Sequence, residues 1–146
     1  SSVTGTEVLN GTRLEQLKFQ MTPFPTLTME KAFDSIETAG VEEWGGEECN
    51  VLIAKKEGLP PMKTYFSIQT GLEKGNRMLA ASAMGDIDIK SVVKSYIEKE
   101  GVLYPEVVES ILPNSMVQSV TVKKLEFNAK IDPAKFELPK EAAEKK

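Results

Sequence analysis

Apolar and polar residues alternate over most of the chain from about residue 37 onward, which is the pattern of half-buried β-strands. The clearest case is residues 62–69, where Met62, Thr64, Phe66 and Ile68 share one parity. Turn-forming residues separate the apolar segments, with turns predicted at Gly45-Gly46, Thr70-Gly71 and Glu100-Gly101. Connections this short favour antiparallel neighbours because parallel pairs need a long crossover. The predicted strands are residues 51–54, 62–69, 72–84, 87–99, 102–112 and 116–129.

The first 36 residues carry a different pattern. Leu14, Leu17 and Met21 stand at i, i+3 and i+7 after Asn10, a favourable N-cap, so a short helix is predicted over residues 11–21. A second short helix is predicted over residues 28–36 and a strand over residues 1–9. Because the strands follow the helices in one block, the fold class is α+β rather than α/β.

Some strands are apolar on both faces, which bears on the shape of the sheet. In residues 116–129 the parity of the apolar positions switches near Lys123, so a bulge is expected there. Pro105 inside a strand indicates a bulge or an edge position. The pattern predicts a curved, half-barrel-like antiparallel sheet with one or two short helices on its concave face. The alternative is a sheet with both faces covered.

The 146 residues fit one domain, which we place at residues 1–139, with helices in about 10–36 and strands in about 37–139. Residues 140–146 form a charged tail. A net charge of −4 argues against a nucleic-acid partner. No apolar run reaches the length of a transmembrane span. The chain opens without an export signal, so we expect a processed or trimmed form.

The sequence contains few of the residues that usually carry out catalysis. The chain has no histidine, so the usual general base and the commonest metal ligand are both missing. The single cysteine, Cys49, is interpreted as a small buried hydrophobic residue rather than a nucleophile. Asp86 and Asp88 lack the further ligands of a calcium loop and are interpreted as solvated charges. We therefore expect no enzyme activity, no cofactor and no metal.

Four segments in order resemble bacterial outer-membrane lipoprotein-sorting proteins, the LolA-like lipoprotein carriers. They cover about two-thirds of the chain, from residue 40 to residue 139. The segments are GVEEWGGEECNV from Gly40, KTYFSIQTGL from Lys63, SYIEKEGVLYP from Ser95 and NAKIDPAKFELP from Asn128. Two departures stand out: Ser67 replaces an acidic turn residue, and residues 1–35 are too short for the usual N-terminal half.

The resemblance implies a half-open sheet over helices, an apolar concave face and an extracytoplasmic (periplasmic or cell-surface) location. On that basis the function is a non-catalytic binding module for an apolar ligand, a lipid or the acyl chain of a lipoprotein. The alternative is an interaction or structural domain of a larger envelope protein, where a sheet edge or a patch around Trp44 and Phe24 docks a protein or a second copy. The same side chains would be ordinary core residues under the helices if no ligand binds. The candidate ligand-lining residues are Met62, Phe66, Ile68, Met78, Met84, Val93 and Tyr96.

Overall fold

The structure is a computed structural model that describes residues 10–21, 28–82 and 85–136. It begins with the helix α1 (Gly11–Gln20) and the single helical turn α2 (Met29–Ala32), and seven strands follow. Two 3₁₀ turns, Pro113–Ser115 and Pro133–Phe136, flank the last strand. The strands are β1 (Ser35–Trp44), β2 (Glu47–Lys56), β3 (Leu59–Ser67), β4 (Glu73–Ser82), β5 (Gly85–Lys99), β6 (Val102–Ile111) and β7 (Val117–Thr121).

The seven strands form one sheet in the order in which they occur along the chain. Each strand pairs antiparallel with the next, which confirms the antiparallel sheet expected from the short connections. The turns fall where the sequence predicted them, at Gly45-Gly46, at Thr70-Gly71 and at Glu100-Gly101. Pro105 lies opposite Tyr96 at a register shift, so the predicted bulge is confirmed.

The helical part is smaller than expected. The first helix is confirmed at Gly11–Gln20, whereas the predicted helix over residues 28–36 is wrong beyond residue 32. Phe33 has extended backbone angles, and the Asp34 N–H donates to the Lys55 carbonyl at 2.9 Å. The chain therefore pairs with β2 from this point and joins the sheet instead of continuing the helix. The strand predicted over residues 1–9 lies outside the described residues.

The long strand predicted over residues 116–129 is also wrong, because β7 covers only Val117–Thr121. The Val122 N–H still donates to the Glu106 carbonyl at 2.8 Å, and the chain then leaves the sheet. The change of parity near Lys123 thus marks the end of a strand rather than a bulge. Leu125 and Phe127 are half-buried in irregular backbone.

Two separate apolar clusters lie on opposite faces of the sheet, since cross-strand partners point to the same side. On the first side, the helix face, Ala54 pairs with Met62 and both pack against Met29 of α2. On the second side, the tryptophan face, Val51 pairs with Tyr65, and Trp44 packs against them. Each cluster draws on strands β2 and β3, which are therefore the most buried part of the sheet.

On the tryptophan face, Trp44 reaches from β1 across the sheet to β5. Its indole stacks on Tyr65 with ring centroids 3.9 Å apart and an interplanar angle of 6°. The indole N–H donates to the Ser91 carbonyl at 2.9 Å. The indole can approach the Ser91 carbonyl because Gly75 of β4, which lies between them, has no side chain. A Cβ there would stand 2.0 Å from the Ser91 oxygen and 2.7 Å from Trp44 Nε1.

Replacing Gly75 with alanine tests this arrangement. We expect Gly75→Ala to lower the free energy of unfolding by about 3 kcal/mol, because the methyl group collides with rigid backbone at a φ of +148°. Urea denaturation followed by the fluorescence of Trp44, the single tryptophan, measures the loss. Gly46→Ala is the matched control, since its φ is +86° and its Cβ would meet nothing within 4 Å. Equal losses in the two variants would contradict the account.

Candidate functional site

A cavity of about 200 Å³ lies where the two helical segments meet the sheet. Its apolar wall comes from the single turn α2, the β2–β3 hairpin and strand β4. The charged side chains at the cavity come from α1 and the end of β2. The lining residues are Glu15, Lys18, Ala32, Phe33, Lys56, Leu59, Pro60, Met62, Met78 and Leu79.

The end of α2 and the start of β3 shape this cavity. The helix ends at Ala32, and the Phe33 N–H caps it by donating to the Met29 carbonyl at 3.0 Å, so Phe33 stays at the sheet surface. On β3, Pro60 follows Leu59, and the pairing with β2 shifts register between Ala54 and Lys56. A proline at the start of a strand removes a ladder donor and suits this irregular pairing. The cavity therefore lies beside an irregularity in the pairing of β2 with β3.

Three charged side chains stand beside the apolar wall. Lys18 Nζ lies 2.9 Å from Glu15 Oε1, and this hydrogen bond holds the pKa of the Glu15 carboxyl below its usual value. The Lys56 ammonium lowers the same pKa through its charge. One carboxylate thus faces two ammonium groups, and the mouth of the cavity has a net positive charge.

The structure brings two of the sequence-predicted lining residues, Met62 and Met78, together in this cavity. Phe66 and Tyr96 are half-buried and Val93 is buried, but none of them lines it. Ile68 is 48% exposed, because β3 ends at Ser67 and places it in the following turn. Met84 lies outside the described residues.

A polar row across the helix face explains this division. Thr64 pairs with Asn76, and Asn76 pairs with Ser91, so one polar side chain from each of three strands stands side by side. The Asn76 N–H donates to Ser91 Oγ at 3.2 Å. Thr64 Oγ1 is buried and has no hydrogen-bond partner among the described residues. The row separates Met62 and Met78 from the other predicted residues on β3 and β5.

Sequence reasoning missed the helical half of the cavity. The sequence pattern places Ala32 and Phe33 inside the helix predicted over residues 28–36, and nothing in that pattern marks them as cavity-lining residues. Lys18 and Lys56 are far apart in the chain, and only the packing of α1 against β4 brings both to the cavity. No pattern within either segment carries that information.

The tryptophan face carries a series of ion pairs between neighbouring strands. Lys55 pairs with Glu37, and Lys63 Nζ lies 2.7 Å from Glu42 Oε1. Arg77 binds Asp88 through two hydrogen bonds of 3.0 and 2.8 Å. Glu47 accepts from Ser67 at 2.5 Å and pairs with Lys74 at the same distance.

The ion pairs of Glu42, Glu47 and Asp88 hold these three carboxylates in the charged form. The hydrogen bond from Lys63 lowers the pKa of Glu42, and the hydrogen bonds from Arg77 lower that of Asp88. A general acid needs the opposite shift, toward a raised pKa. A shallow groove of about 390 Å³ crosses this face, and ion-paired side chains form much of its wall. Each charged side chain of the groove wall already has an ion-pair partner on a neighbouring strand, so the groove offers a ligand no unpaired charge.

Cys49 is fully buried on the tryptophan face, as the sequence predicted for a small hydrophobic residue. Burial raises the pKa of its thiol, and the thiol lies 3.6 Å from the Glu47 carbonyl oxygen. Raised pKa and lack of exposure both disfavour the reactive thiolate. Trp44 is only partly exposed and stacks on Tyr65, so the exposed patch expected around it is not present on its ring. Phe24 lies outside the described residues.

Within residues 10–21, 28–82 and 85–136, no three histidine, cysteine, aspartate or glutamate side chains gather as metal ligands would. Over the same ranges, none of the helices has both the length and the apolar character that a membrane crossing requires.

The buried tyrosines give the protein a measurable alkaline signature. Burial raises the pKa of Tyr65 to about 12, and the nearby Glu42 carboxylate adds to this shift through its charge and through the hydrogen bond of 3.2 Å that it accepts from the Tyr65 hydroxyl. Burial likewise raises the pKa of Tyr96 to about 12, and its hydroxyl donates to the Glu73 carbonyl.

We expect these two phenols to stabilise the folded state below pH 10 and to lose that contribution as the pH rises from about 10 to about 12, because only the unfolded chain then ionises them. Phenolate absorbance recorded with far-ultraviolet circular dichroism tests this, with Tyr65→Phe and Tyr96→Phe as controls that each remove part of the late titration. A titration of Tyr65 and Tyr96 near pH 10 in the folded protein would contradict the burial described here.

No family model matches the chain, and comparison with curated proteins and with solved structures found no similar protein.

Proposed function

We propose that this chain is a non-catalytic, extracytoplasmic binding module for an apolar ligand, a lipid or an acyl chain. The observation that carries the proposal is the cavity of about 200 Å³ between the helical segments and the sheet. Its wall is mostly apolar, whereas the polar side chains of the opposite face are engaged in ion pairs. The resemblance to lipoprotein carriers, which hold acyl chains under a sheet, points to the same class of ligand.

The size of the cavity limits the ligand. A dry, apolar protein cavity of about 150 Å³ is large enough to bind benzene, whereas pockets for drug-sized molecules begin near 300 Å³. The cavity therefore suits one ring or the end of one acyl chain. Burial of six methylene groups would contribute about 5 kcal/mol before the cost of ordering the ligand. Affinity from the apolar wall alone is then no better than roughly 0.1 mM.

Methionine gives this wall the ability to adapt. Met62 and Met78 line the cavity, and Met29 packs against Met62 from α2. Methionine is unbranched and flexible, so its side chain can follow chains of different shape. Met62 is only 7% exposed, and hence the thioether is presented from within the core rather than from a mobile surface.

The charges at the mouth favour an anionic head group. Lys18 already pairs with Glu15, and Lys56 adds a second ammonium group close to that pair. An apolar chain ending in a carboxylate or a phosphate can place its apolar part against the methionines and its charge near Lys56. This arrangement adds a charge-assisted contact to the apolar burial.

Filling the cavity tests the proposal. We expect Ala32→Phe to reduce binding of octanoate at least tenfold, because the new ring occupies the space of the ligand. Isothermal titration measures the change. Ala134→Phe is the matched control, since it adds the same ring at an exposed position outside the cavity and should leave binding unchanged. Equal binding by both variants would place the ligand elsewhere.

A second comparison tests the charged mouth. Lys56→Gln is expected to weaken octanoate binding several-fold while leaving the neutral analogue 1-octanol unaffected, and the difference should shrink in high salt. If the protein binds neither compound at millimolar concentration, it is not a carrier of apolar ligands.

A further inference from the structure

The two edges of the sheet differ in their protection against other strands. The edge strand β1 carries Glu37, Glu42 and Glu43, and a register shift interrupts its pairing between Thr38 and Val41. Charges and bulges are the devices by which natural sheets discourage pairing at an edge. At the other edge β7 reads Val-Gln-Ser-Val-Thr, without a charge or a proline, and all five of its residues are exposed. Of the two edges that the described strands leave open, only the β7 edge is therefore suited to accept another strand.

The hydrogen bonds beside β7 determine which of its backbone groups point outward. The Leu112 N–H donates to the Met116 carbonyl and the Val122 N–H donates to the Glu106 carbonyl, each at 2.8 Å. Even-numbered residues of this strand thus turn their backbone groups toward β6, because the direction alternates along an antiparallel strand. The N–H and C=O groups of the odd-numbered residues, Val117, Ser119 and Thr121, point away from it. Among the described residues, no strand pairs with them.

We propose that a second copy of this chain pairs with β7 through its own β7, antiparallel and about a two-fold axis at Ser119. In that register Ser119 faces the same residue of the second copy, and Val117 faces Thr121. The outward N–H and C=O groups then satisfy one another, and the interface is isologous. Because β7 has no charged residue, the pairing brings no like charges of the two strands together.

Apolar side chains next to β7 continue across such a pairing. On one face Ile111 pairs with Val117, which would meet Thr121 and then Val107 of the second copy. On the other face Val108 pairs with Val120, and Val120 is 55% exposed in the single chain. Val117 is 58% exposed. Dimerisation would cover these side chains without moving any strand.

The dimer should be weak. Stable protein interfaces bury about 1,200 Å² or more, and two five-residue strands that pair edge to edge bury less. The cavity lies at β2, β3 and β4, on the far side of β5 and β6 from this edge, so ligand binding and dimerisation are separate properties.

A charge exchange at the two-fold position tests the proposal. We expect wild-type protein to double its mass with rising concentration in sedimentation velocity runs. Ser119→Lys and Ser119→Asp should each remain monomeric up to millimolar concentration, because two like charges would meet at the axis. An equal mixture of the two variants should form a heterodimer at least as tight as the wild-type dimer.

Further variants keep the result interpretable if a charge disturbs folding. Ser119→Pro removes an N–H that points away from β6, so it should block dimerisation while the unfolding midpoint of the monomer stays near that of wild type. Gln118→Lys adds the same charge to the same strand but faces Val120 of the second copy, so it should weaken the dimer less than Ser119→Lys. A wild-type protein that is monomeric at millimolar concentration would overturn the proposal. So would a Ser119→Lys dimer of unchanged strength, or a mixture that stays monomeric.

Discussion

The contact of the Trp44 indole with the backbone of β5, made over Gly75, is the constraint on which the rest of the sheet depends. It joins β1, β3 and β5 in one cluster, because the indole stacks on Tyr65 and binds the Ser91 carbonyl at 2.9 Å. A side chain at residue 75 would stand 2.0 Å from that carbonyl oxygen, so the arrangement requires glycine. The indole thus bridges the two intervening strands, β2 and β4, and favours the observed register of the sheet.

The two faces of the sheet carry different kinds of side-chain contacts. The tryptophan face holds aromatic stacking, a buried thiol and a series of cross-strand ion pairs, and it offers little to a ligand. The helix face holds Met62 and Met78 against α2, and its polar row confines the cavity to the end of the sheet near α1. Protection also differs between the two edges, since β1 is acidic and bulged whereas β7 is neutral and exposed.

Much of the sheet could be predicted from the sequence, because alternation and turn residues are local signals. The turns at Gly45-Gly46, Thr70-Gly71 and Glu100-Gly101 needed no tertiary information. The sequence pattern predicts a helix that continues past Ala32. The backbone hydrogen bond from Asp34 to Lys55, which places this segment beside β2, is a non-local contact and leaves no signal in the sequence. For the same reason the end of β7 and the helical half of the cavity could not be predicted. The face of the sheet on which Met62 lies could be predicted, because the alternation of side chains along a strand is a local signal.

The claim at the centre of the functional account is that the cavity holds an apolar molecule. Native mass spectrometry of the protein with a short fatty acid added at millimolar concentration, followed by organic extraction of the same sample, tests it most directly. The account predicts one bound fatty acid per chain, which disappears on extraction. A protein that has only its sequence mass at that concentration of fatty acid would contradict the account.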